Sequence, residues 1–374
     1  MRIGIDYTAA VRQGAGIGRY TRGLIGVLPA LDCENSYRLF VAGRGVRGAV
    51  PAGPNFRTRW LPLTDRETSL LWQRLRLPIP IELFLGRLDV FHSPDFVLPP
   101  VLSGRKVLTV HDLSFLRVPE CAHPVLRRYL LDVVPRSVRR ADLVLADSHS
   151  TRNDVIELLS VPPERVRVVY AGVEDRFRPV TEAGELEAVR LRYGLERPLI
   201  LGLGTLEPRK NFAGLIEAYA ALRTRRRLPH DLVIVGGKGW LYEPIFERVE
   251  RLGLGDRVRF LGHVPDADLP ALYSLAACFA YPSFYEGFGI PVLEAMACGT
   301  PVVTARTSSL PEVAGEAAVY ADPYSTESLV EGLDRVLHDE TLRATLRERG
   351  RARARSFTWE RAGRELLEAY RAVA

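Results

Sequence analysis

The chain has 374 residues, of which 47% are hydrophobic and 26% charged, with a formal net charge of +6. These proportions are typical of a soluble globular protein, and the length favours two α/β domains over one oversized core. The longest apolar stretches are strand-sized and broken by Gly, Pro or charge, which argues against a transmembrane helix. Because the first residues already read as a buried strand, we expect no signal peptide and a cytosolic protein.

The cysteine spacing and the charge distribution further restrict the class of protein. The four cysteines lie far apart, at Cys33, Cys121, Cys278 and Cys298. Their spacing favours a reduced compartment and no zinc site. Residues 1–180 carry 26 Lys and Arg against 18 Asp and Glu, a net +8, and the rest carries 25 against 27, a net −2. The basic half is typical of a solvated surface; a face for substrate phosphates or lipid is the alternative.

Short apolar runs alternate with amphipathic helical patterns along the chain. The predicted strands are Arg2–Asp6, Tyr37–Ala42, Val90–His92, Val107–His111, Leu143–Asp147, Leu199–Gly202, Asp231–Gly236, Val258–Leu261, Cys278–Tyr281 and Pro301–Thr304. Predicted helices include Tyr20–Leu31, Pro124–Arg139, Ser150–Leu159, Asn211–Arg225, Tyr242–Arg251 and Pro291–Ala297. Regular alternation predicts parallel sheets with helices on both faces.

The alternation occurs twice, on either side of a polar stretch at 178–192 that contains Pro179 and Gly184. We therefore expect two Rossmann-like, doubly wound α/β domains at 1–180 and 181–355. In such sheets ligands bind beyond the carboxyl ends of the strands. Two such domains facing one another predict a central cleft.

A glycine-rich loop, Gly14–Gly18 (GAGIG), follows the first strand. Its glycines allow close backbone approach, and the next helix presents N–H groups to an anion. A dinucleotide fingerprint reads G-x-G-x-x-G directly after the strand, with an acidic residue for the ribose. This loop reads G-x-G-x-G eight residues beyond Asp6 and lacks that acid. The spacing disfavours a nicotinamide-dependent dehydrogenase and leaves a plain turn or a phosphate cradle.

His111 and Asp112 follow the strand that begins near Lys106. At a strand end the imidazole would point into the cleft and could donate a hydrogen bond to a sugar hydroxyl or orient a reacting group. A structural histidine is the alternative. The location favours the functional interpretation.

A third motif, Gly202–Phe212 (GLGTLEPRKNF), begins at the end of a buried strand. Asn211 is predicted to cap the helix that starts at Phe212. Arg209 and Lys210 then lie where the helix dipole favours negative charge, which suits a diphosphate. The alternative is a solvated basic turn. Lys210 is one of only three lysines in the chain, and this rarity argues mildly against that alternative.

The most specific motif is Glu286–Glu294 (EGFGIPVLE). Pro291 suits the first turn of a helix, and the glycines flanking Phe288 bring backbone N–H groups close to a ligand. Glu286 in the loop and Glu294 in the helix can both accept hydrogen bonds from sugar hydroxyls. Two unrelated glutamates at a helix start would explain neither the glycines nor the spacing.

Together these motifs, with the terminal Phe357–Glu360 (FTWE), resemble the retaining glycosyltransferases of family four, in the GT-B superfamily with the E-x7-E signature. The resemblance spans essentially the whole chain. It implies that the first domain binds the acceptor, that the second binds the donor, and that a final helix at 356–374 crosses back to the first domain. It implies that Gly16 lies near the donor diphosphate, that Arg209 and Lys210 bind the phosphates, and that Glu294 holds the ribose. Many members carry Arg five residues before the motif lysine; here Thr205 occupies that position. The phosphate contact of Lys210 is therefore better supported than that of Arg209.

The resemblance also assigns the sugar and base. Glu286 would hold the donor sugar, helped by the backbone N–H groups of Phe288, Gly289 and Ile290. His111 would lie beside the anomeric carbon, and the nucleobase near His263 and Val264. His111 and Glu286 are the catalytic candidates.

The reaction implied is hexose transfer from a nucleoside diphosphate sugar with retention at the anomeric carbon. We expect no cofactor and no metal, because Arg209, Lys210 and helix amides would stabilise the leaving diphosphate, and because no D-x-D triplet is expected in the chain to bind a metal ion between the phosphates. Two carboxylates usually imply a covalent intermediate in retaining hydrolysis; same-face attack through an ion-pair-like state is the family's usual proposal. A sugar-nucleotide epimerase and a non-catalytic nucleotide-sugar sensor are the alternatives.

The resemblance extends to partners. The segments Ile3–Asp6 and Gly16–Tyr20 resemble those of bacterial mannosyltransferases of polysaccharide assembly, which favours GDP-mannose as the donor. The acceptor would be a glycan or a lipid-linked sugar, bound by loops such as Pro62–Trp72 and Ser114–Pro124. No nucleic-acid partner is expected. A cytoplasmic protein, in peripheral contact with the inner face of the membrane in some settings, fits such an acceptor.

Overall fold

The computed structural model describes residues 1–46 and 48–374, which form two compact units, each built on one parallel sheet. The first unit contains Met1–Leu113, Val125–Gly172 and Phe357–Ala374; the second contains Ser114–Pro124 and Val173–Ser356. The units therefore divide between Gly172 and Val173, eight residues before the boundary expected at 180. The segment Ser114–Pro124 lies in the second unit, although it was expected among first-domain loops.

Seven parallel strands form the sheet of the first unit. Numbered along the whole chain, they are β1 (Arg2–Asp6), β2 (Ser36–Ala42), β3 (Phe56–Leu61), β4 (Val90–Ser93), β5 (Arg105–Val110), β6 (Leu143–Ala146) and β7 (Val166–Val168). The helices of this unit are α1 (Thr8–Arg12), α2 (Gly16–Gly26), α3 (Leu28–Leu31), α4 (Asp65–Ser69), α5 (Glu82–Leu85), α7 (Pro124–Arg140), α8 (His149–Leu159) and α17 (Trp359–Val373). A π-helical turn, Leu70–Arg74, follows α4.

The strand order of this sheet is β3-β2-β1-β4-β5-β6-β7, so the winding direction changes between β1 and β4. All pairs are parallel, as the alternation of strands and helices predicts. Strands β3 and β7 were not predicted. β3 (FRTRWL) lies at the sheet edge and carries two exposed arginines, and β7 has only three residues, so neither shows the apolar run of a buried strand.

Helix α17 packs against α2 and α3 and completes the core of the first unit. Thr358 caps it by accepting a hydrogen bond from the backbone N–H of Arg361, and Trp359 contacts Tyr20 edge to face. The Tyr370 ring is fully buried, and its hydroxyl lies 2.7 Å from Nδ1 of His92. Residues near the end of the sequence are therefore part of the first unit's interior.

Six parallel strands form the second sheet: β8 (Leu199–Leu203), β9 (Asp231–Val235), β10 (Val258–Gly262), β11 (Ala276–Tyr281), β12 (Val302–Ala305) and β13 (Ala318–Ala321). The helices of this unit are α6 (Ser114–Arg117), α9 (Ala183–Tyr193), α10 (Phe212–Arg225), α11 (Glu243–Arg251), α12 (Leu269–Leu275), α13 (Ile290–Ala297), α14 (Leu310–Ala314), α15 (Thr326–His338) and α16 (Glu340–Ala354). Three short 3₁₀ turns lie at Pro119–Cys121, Pro163–Arg165 and Pro208–Lys210, the second of them in the first unit.

The order of the second sheet is β10-β9-β8-β11-β12-β13, and its direction changes between β8 and β11. The stretch 178–192, which was expected to separate the two domains, is mostly helical: it forms α9, which packs on α12. Arg192 and Tyr193 at the end of α9 both donate to Asp268. The stretch is polar because one face of this helix is exposed to solvent, not because it lacks structure. Over the part of the chain that the structure describes, no helix meets the length and hydropathy needed to cross a bilayer.

Candidate active site

The third and fourth motifs meet at the switch point of the second sheet. Strands β8 and β11 are neighbours, so the loops that leave their carboxyl ends lie side by side. The loop after β8 carries Arg209 and Lys210, and the loop after β11 carries Glu286. The backbone N–H of Phe284 donates to the carbonyl of Arg209 at 2.9 Å, which ties the two loops together.

Arg209 and Lys210 converge on one carboxylate. Lys210 Nζ lies 2.6 Å from Oε1 of Glu286, and Arg209 Nη1 lies 2.9 Å from its Oε2. Arg209 also donates through Nη2 to Glu207 Oε1 at 2.6 Å and through Nη1 to the carbonyl of Tyr285 at 2.9 Å. The structure therefore brings together three predicted donor-site residues and adds Glu207, which is 2% exposed.

The charges of this cluster fix the ionisation state of Glu286. Burial alone would raise the pKa of its carboxyl, but the nearby charges of Arg209 and Lys210 lower that pKa to about 2. Glu286 is consequently an anion throughout the physiological range. An ionised carboxylate accepts hydrogen bonds from sugar hydroxyls and cannot serve as a proton donor.

Tyr281, the last residue of β11, positions Lys210. Its hydroxyl accepts a hydrogen bond from Lys210 Nζ at 2.7 Å, and the ammonium lies 5.0 Å from the ring centroid. Burial and the neighbouring Glu286 raise the pKa of Tyr281 well above its usual value, so the hydroxyl stays protonated. Sequence reasoning identified Tyr281 only as the end of a strand.

The turn from Glu286 to α13 is held in shape by two serines. Ser308 Oγ accepts from the backbone N–H of Glu286 at 2.8 Å, and Ser309 Oγ donates to the carbonyls of Glu286 and Phe288. Gly289 has φ +112°, and a Cβ there would lie 2.9 Å from Leu310. This position therefore requires glycine, as the close turn in the motif suggested.

The remaining residues of the fourth motif lie in the same turn and helix. Phe288 is buried, Ile290 begins α13, and Glu294 lies in the second turn of that helix with no exposed surface. The Tyr273 hydroxyl of α12 donates to Glu294 Oε2 at 2.9 Å. This partner was not anticipated, because helix periodicity gives no sign of which tyrosine faces a buried glutamate.

His263 and Val264, the residues assigned to the nucleobase, follow β10, where Gly262 has φ +67°. His263 is exposed and Val264 is buried. The same loop leads to a D-x-D triplet, Asp266–Asp268, so the expectation that the chain lacks such a triplet was wrong. Asp266 pairs with Arg176, and Asp268 with Arg192 and Tyr193. Among the described residues, no group of three or more His, Cys, Asp or Glu side chains is arranged to hold a metal ion.

His111 lies in the first unit, directly after β5, and is largely buried. Its Nδ1 is 2.7 Å from Oδ2 of Asp147, which follows β6, and its Nε2 is 3.2 Å from the carbonyl of Pro94. The rings of Tyr20 and Phe96 contact it edge to face. Asp147 was predicted only as the end of a strand.

The surroundings of His111 decide its charge. Burial would lower the pKa of the imidazole, but the carboxylate of Asp147 and the charge of Asp95 raise it to about 9. A protonated ring donates through both nitrogens, which agrees with its two acceptors. The geometry suits electrostatic stabilisation or positioning, and not proton acceptance.

The glycine-rich segment Gly14–Gly18 overlaps the start of α2, which begins at Gly16 and not at Tyr20 as predicted. Gly16 is exposed at this helix start, and a Cβ there would meet no atom within 4 Å. Gly18 is the sterically required glycine, because a Cβ there would lie 2.0 Å from the carbonyl oxygen of Gln13. An open helix N-terminus is suited to an anion.

Two doubly wound sheets, with a cationic cluster at the switch point of the second, suit an anionic nucleotide ligand. Residues 14–177 match the family described as Glycosyltransferase Family 4, and residues 188–353 match Glycosyl transferases group 1. A relative named O-antigen chain mannosyltransferase B, from Escherichia coli, is 39% identical over 284 residues, which cover 75% of this chain and 74% of that relative. The chain belongs to glycosyltransferase family 4.

Two further proteins are similar to this chain. Serotype-specific mannosyltransferase WbdA of Escherichia coli is 30% identical over 71% of this chain, which spans about a third (33%) of that relative's length. Sucrose-phosphate synthase from Thermosynechococcus elongatus superposes with a TM-score of 0.78 at 23% identity, covering 100% of this chain and 98% of that one. At this identity the likeness supports the fold alone.

Proposed function

We propose that this glycosyltransferase transfers a mannose from a nucleoside diphosphate donor, GDP-mannose, to a glycan or lipid-linked acceptor, with retention and without a metal ion. The observation that carries the proposal is the convergence of Arg209 and Lys210 on Glu286 at the switch point of the second sheet. The mannosyl assignment is supported by the relatives named O-antigen chain mannosyltransferase B and WbdA. Assembly of a surface polysaccharide is the proposed setting.

In the proposed reaction, the bond between the anomeric carbon and the diphosphate oxygen breaks as the acceptor hydroxyl attacks from the same face. The acceptor proton passes to the departing phosphate oxygen. Arg209 and Lys210 stabilise the negative charge that grows on the diphosphate, as preorganised donors do in other enzymes. No base from the protein is required in this scheme.

Glu286 would hold the sugar in this reaction. Its carboxylate is ionised and engaged by one cation at each oxygen, so sugar hydroxyls would compete with Arg209 and Lys210 as donors to Glu286. Those cations could then turn toward the phosphates. The other roles follow the family resemblance: Gly16 would lie near the diphosphate, Glu294 would hold the ribose, and the base would lie near His263 and Val264. His111 would lie beside the anomeric carbon. The acceptor would place the protein at the inner face of the membrane.

The donor is tested by thermal shift against GDP, UDP and ADP sugars. A ligand at a hundred times its Kd stabilises by about 2.7 kcal/mol, so GDP-mannose should raise the melting temperature clearly and the other sugars little. Proton NMR of the product made with an acceptor glycan should show an α-linked mannose. A larger shift with a UDP sugar, or a β-linked product, contradicts the proposal.

Lys210→Ala tests the phosphate role. Loss of one such donor should reduce the transfer rate about a hundredfold or more, while the circular dichroism spectrum stays unchanged. Lys106→Ala is the matched control, because Lys106 pairs with Asp142 on the first sheet. Near-native turnover in the Lys210 variant would remove the assigned role.

A further inference from the structure

One surface of the first unit, which we call the basic–apolar face, combines helix α7 with the segment Leu70–Arg76 that follows α4. Three contacts hold α7 against this segment and the end of α4. Ser69 Oγ lies 3.0 Å from the Tyr129 hydroxyl, and Arg76 Nη2 lies 3.4 Å from Asp132 Oδ1. Arg136 Nη2 donates to the carbonyl of Gln73 at 3.2 Å.

Apolar side chains protrude from both parts of this face. On the segment Leu70–Arg76, Leu70 and Leu75 are 42% and 56% exposed, and on α7 Val125 and Leu131 are 73% and 39% exposed. The opposite side of α7 packs inward through residues such as Val134. The face is therefore the solvent-exposed side of a helix whose other side is packed into the first unit.

Arginines alternate with these apolar residues. Arg74, Arg76, Arg128 and Arg139 are exposed on the same face, against one exposed carboxylate, Asp132, which pairs with Arg76 and Arg136. Positions 125, 128, 131, 132, 135 and 139 fall on one side of an α-helix of 3.6 residues per turn. From 125 to 139 this side is about 21 Å long at 1.5 Å per residue.

We propose that the basic–apolar face docks on the surface of a lipid bilayer that contains anionic headgroups. Leucine and valine side chains, set singly among arginines, fit the headgroup boundary, where short apolar groups enter the acyl region and guanidinium groups bind phosphates. A protein partner would more commonly bury a contiguous apolar centre with charge at the rim. The inference rests on the proposed function only in that a lipid-linked acceptor gives such a surface a use.

Vesicle flotation of the full chain tests this inference. The protein should float with vesicles containing about a third phosphatidylglycerol and not with phosphatidylcholine alone, and high salt should weaken the binding. Each basic residue near an anionic bilayer strengthens binding about fivefold, so Arg74→Ser with Arg128→Ser should weaken it at least tenfold. Leu75→Ser with Leu131→Ser should weaken binding by a similar factor, because it removes the inserted groups.

Matched controls separate the face from general charge and hydrophobicity. Arg57→Ser with Arg364→Ser removes two exposed arginines elsewhere in the first unit, and Leu191→Ser with Leu252→Ser removes two exposed leucines of the second unit. Both control pairs should float like the wild type. All variants should keep their activity toward a short soluble acceptor, which distinguishes a failure of this inference from a failure of the proposed function.

Three results would overturn the inference. The first is that wild-type protein with measurable transferase activity stays in solution beside anionic vesicles. The second is that the control pairs lose vesicle binding as much as the face variants do. The third is that the Leu75 and Leu131 changes abolish a dimer seen in analytical ultracentrifugation, because the face would then bind a second copy of the chain.

Discussion

Glu207 is a buried carboxylate that holds Arg209 through one guanidinium nitrogen while Glu286 holds the other. We expect Glu207→Gln to lower kcat about tenfold, because a small loss of orientation in a catalytic group is costly. Nucleoside diphosphate affinity should change less, since the lost anion leaves the cluster more positive. Steady-state kinetics with product inhibition measures both quantities.

The control for this prediction is Glu327→Gln, which removes an exposed carboxylate paired with Arg225 in the same unit. Exposed pairs contribute little, so this variant should behave as the wild type. An unchanged kcat in the Glu207 variant would show that Glu286 alone is sufficient to position Arg209.

The charge on His111 gives a prediction about pH. Its pKa in the folded protein, about 9, lies above the value of 6.5 in an unfolded chain, so the interaction with Asp147 stabilises the fold fully below pH 6.5. That stability is lost as pH rises through 9. NMR titration of the ring should show a midpoint well above 7, and Asp147→Asn should bring it to 6.5 or lower. A wild-type midpoint near 6.5 would contradict the assignment.

Motif chemistry selected three residues of the charged cluster at the switch point of β8 and β11. Arg209, Lys210 and Glu286 were expected from motif chemistry, and the structure places them in contact. Glu207 and Tyr281 flank the same motifs but carry no pattern that marks them as partners. Their contacts follow from the adjacency of β8 and β11, and the order of strands in a sheet is not written in local sequence.

Asn211, the residue that caps the N-terminus of helix α10, stabilises the structure in three ways. Asn211 has φ +55°, its Oδ1 accepts from the Gly214 backbone N–H, and its amide donates to the carbonyls of Pro282 and Pro323. Asn211→Ala should destabilise the protein by about 2–4 kcal/mol, since it removes a cap, leaves buried carbonyls unpaired and disfavours the left-handed backbone.

Asn211→Gly separates the backbone cost from the side-chain cost, because glycine adopts positive φ readily. It should recover part of the loss seen with alanine in urea denaturation. Equal stability of the alanine variant and the wild type would mean that the cap carries no net free energy here.

Strands and helices with a clear hydrophobic periodicity were predicted from the sequence, and most of those without one were not. Ten predicted strands correspond to β1, β2, β4–β6 and β8–β12 with ends shifted by a residue or two. β13 (AVYA) was missed along with β3 and β7, although it is as long as β4, β6 and β12. Helix α9 was not predicted, because its exposed charged residues obscure the single buried Val189.

For the molecule as a whole, the metal-free proposal predicts that transfer survives excess EDTA. The cations of the donor cluster supply the charge that a divalent ion would otherwise bring to the diphosphate. Activity should be the same with and without chelator, and added magnesium or manganese should not increase it. Inactivation by EDTA that either ion reverses would direct attention to Asp266 and Asp268 as ligands.

The division into units has a consequence for synthesis. The chain passes from one unit to the other after Leu113, Pro124, Gly172 and Ser356, so neither unit is a continuous piece of polypeptide. During synthesis on the ribosome, the core of the first unit stays incomplete until α17 has been made, because Tyr370 of that helix is buried in it. The second unit, by contrast, has its last helix, α16, before that point. The first unit therefore begins to be synthesised before the second but is completed after it. Until α17 is made, the exposed apolar core of the first unit is prone to aggregation.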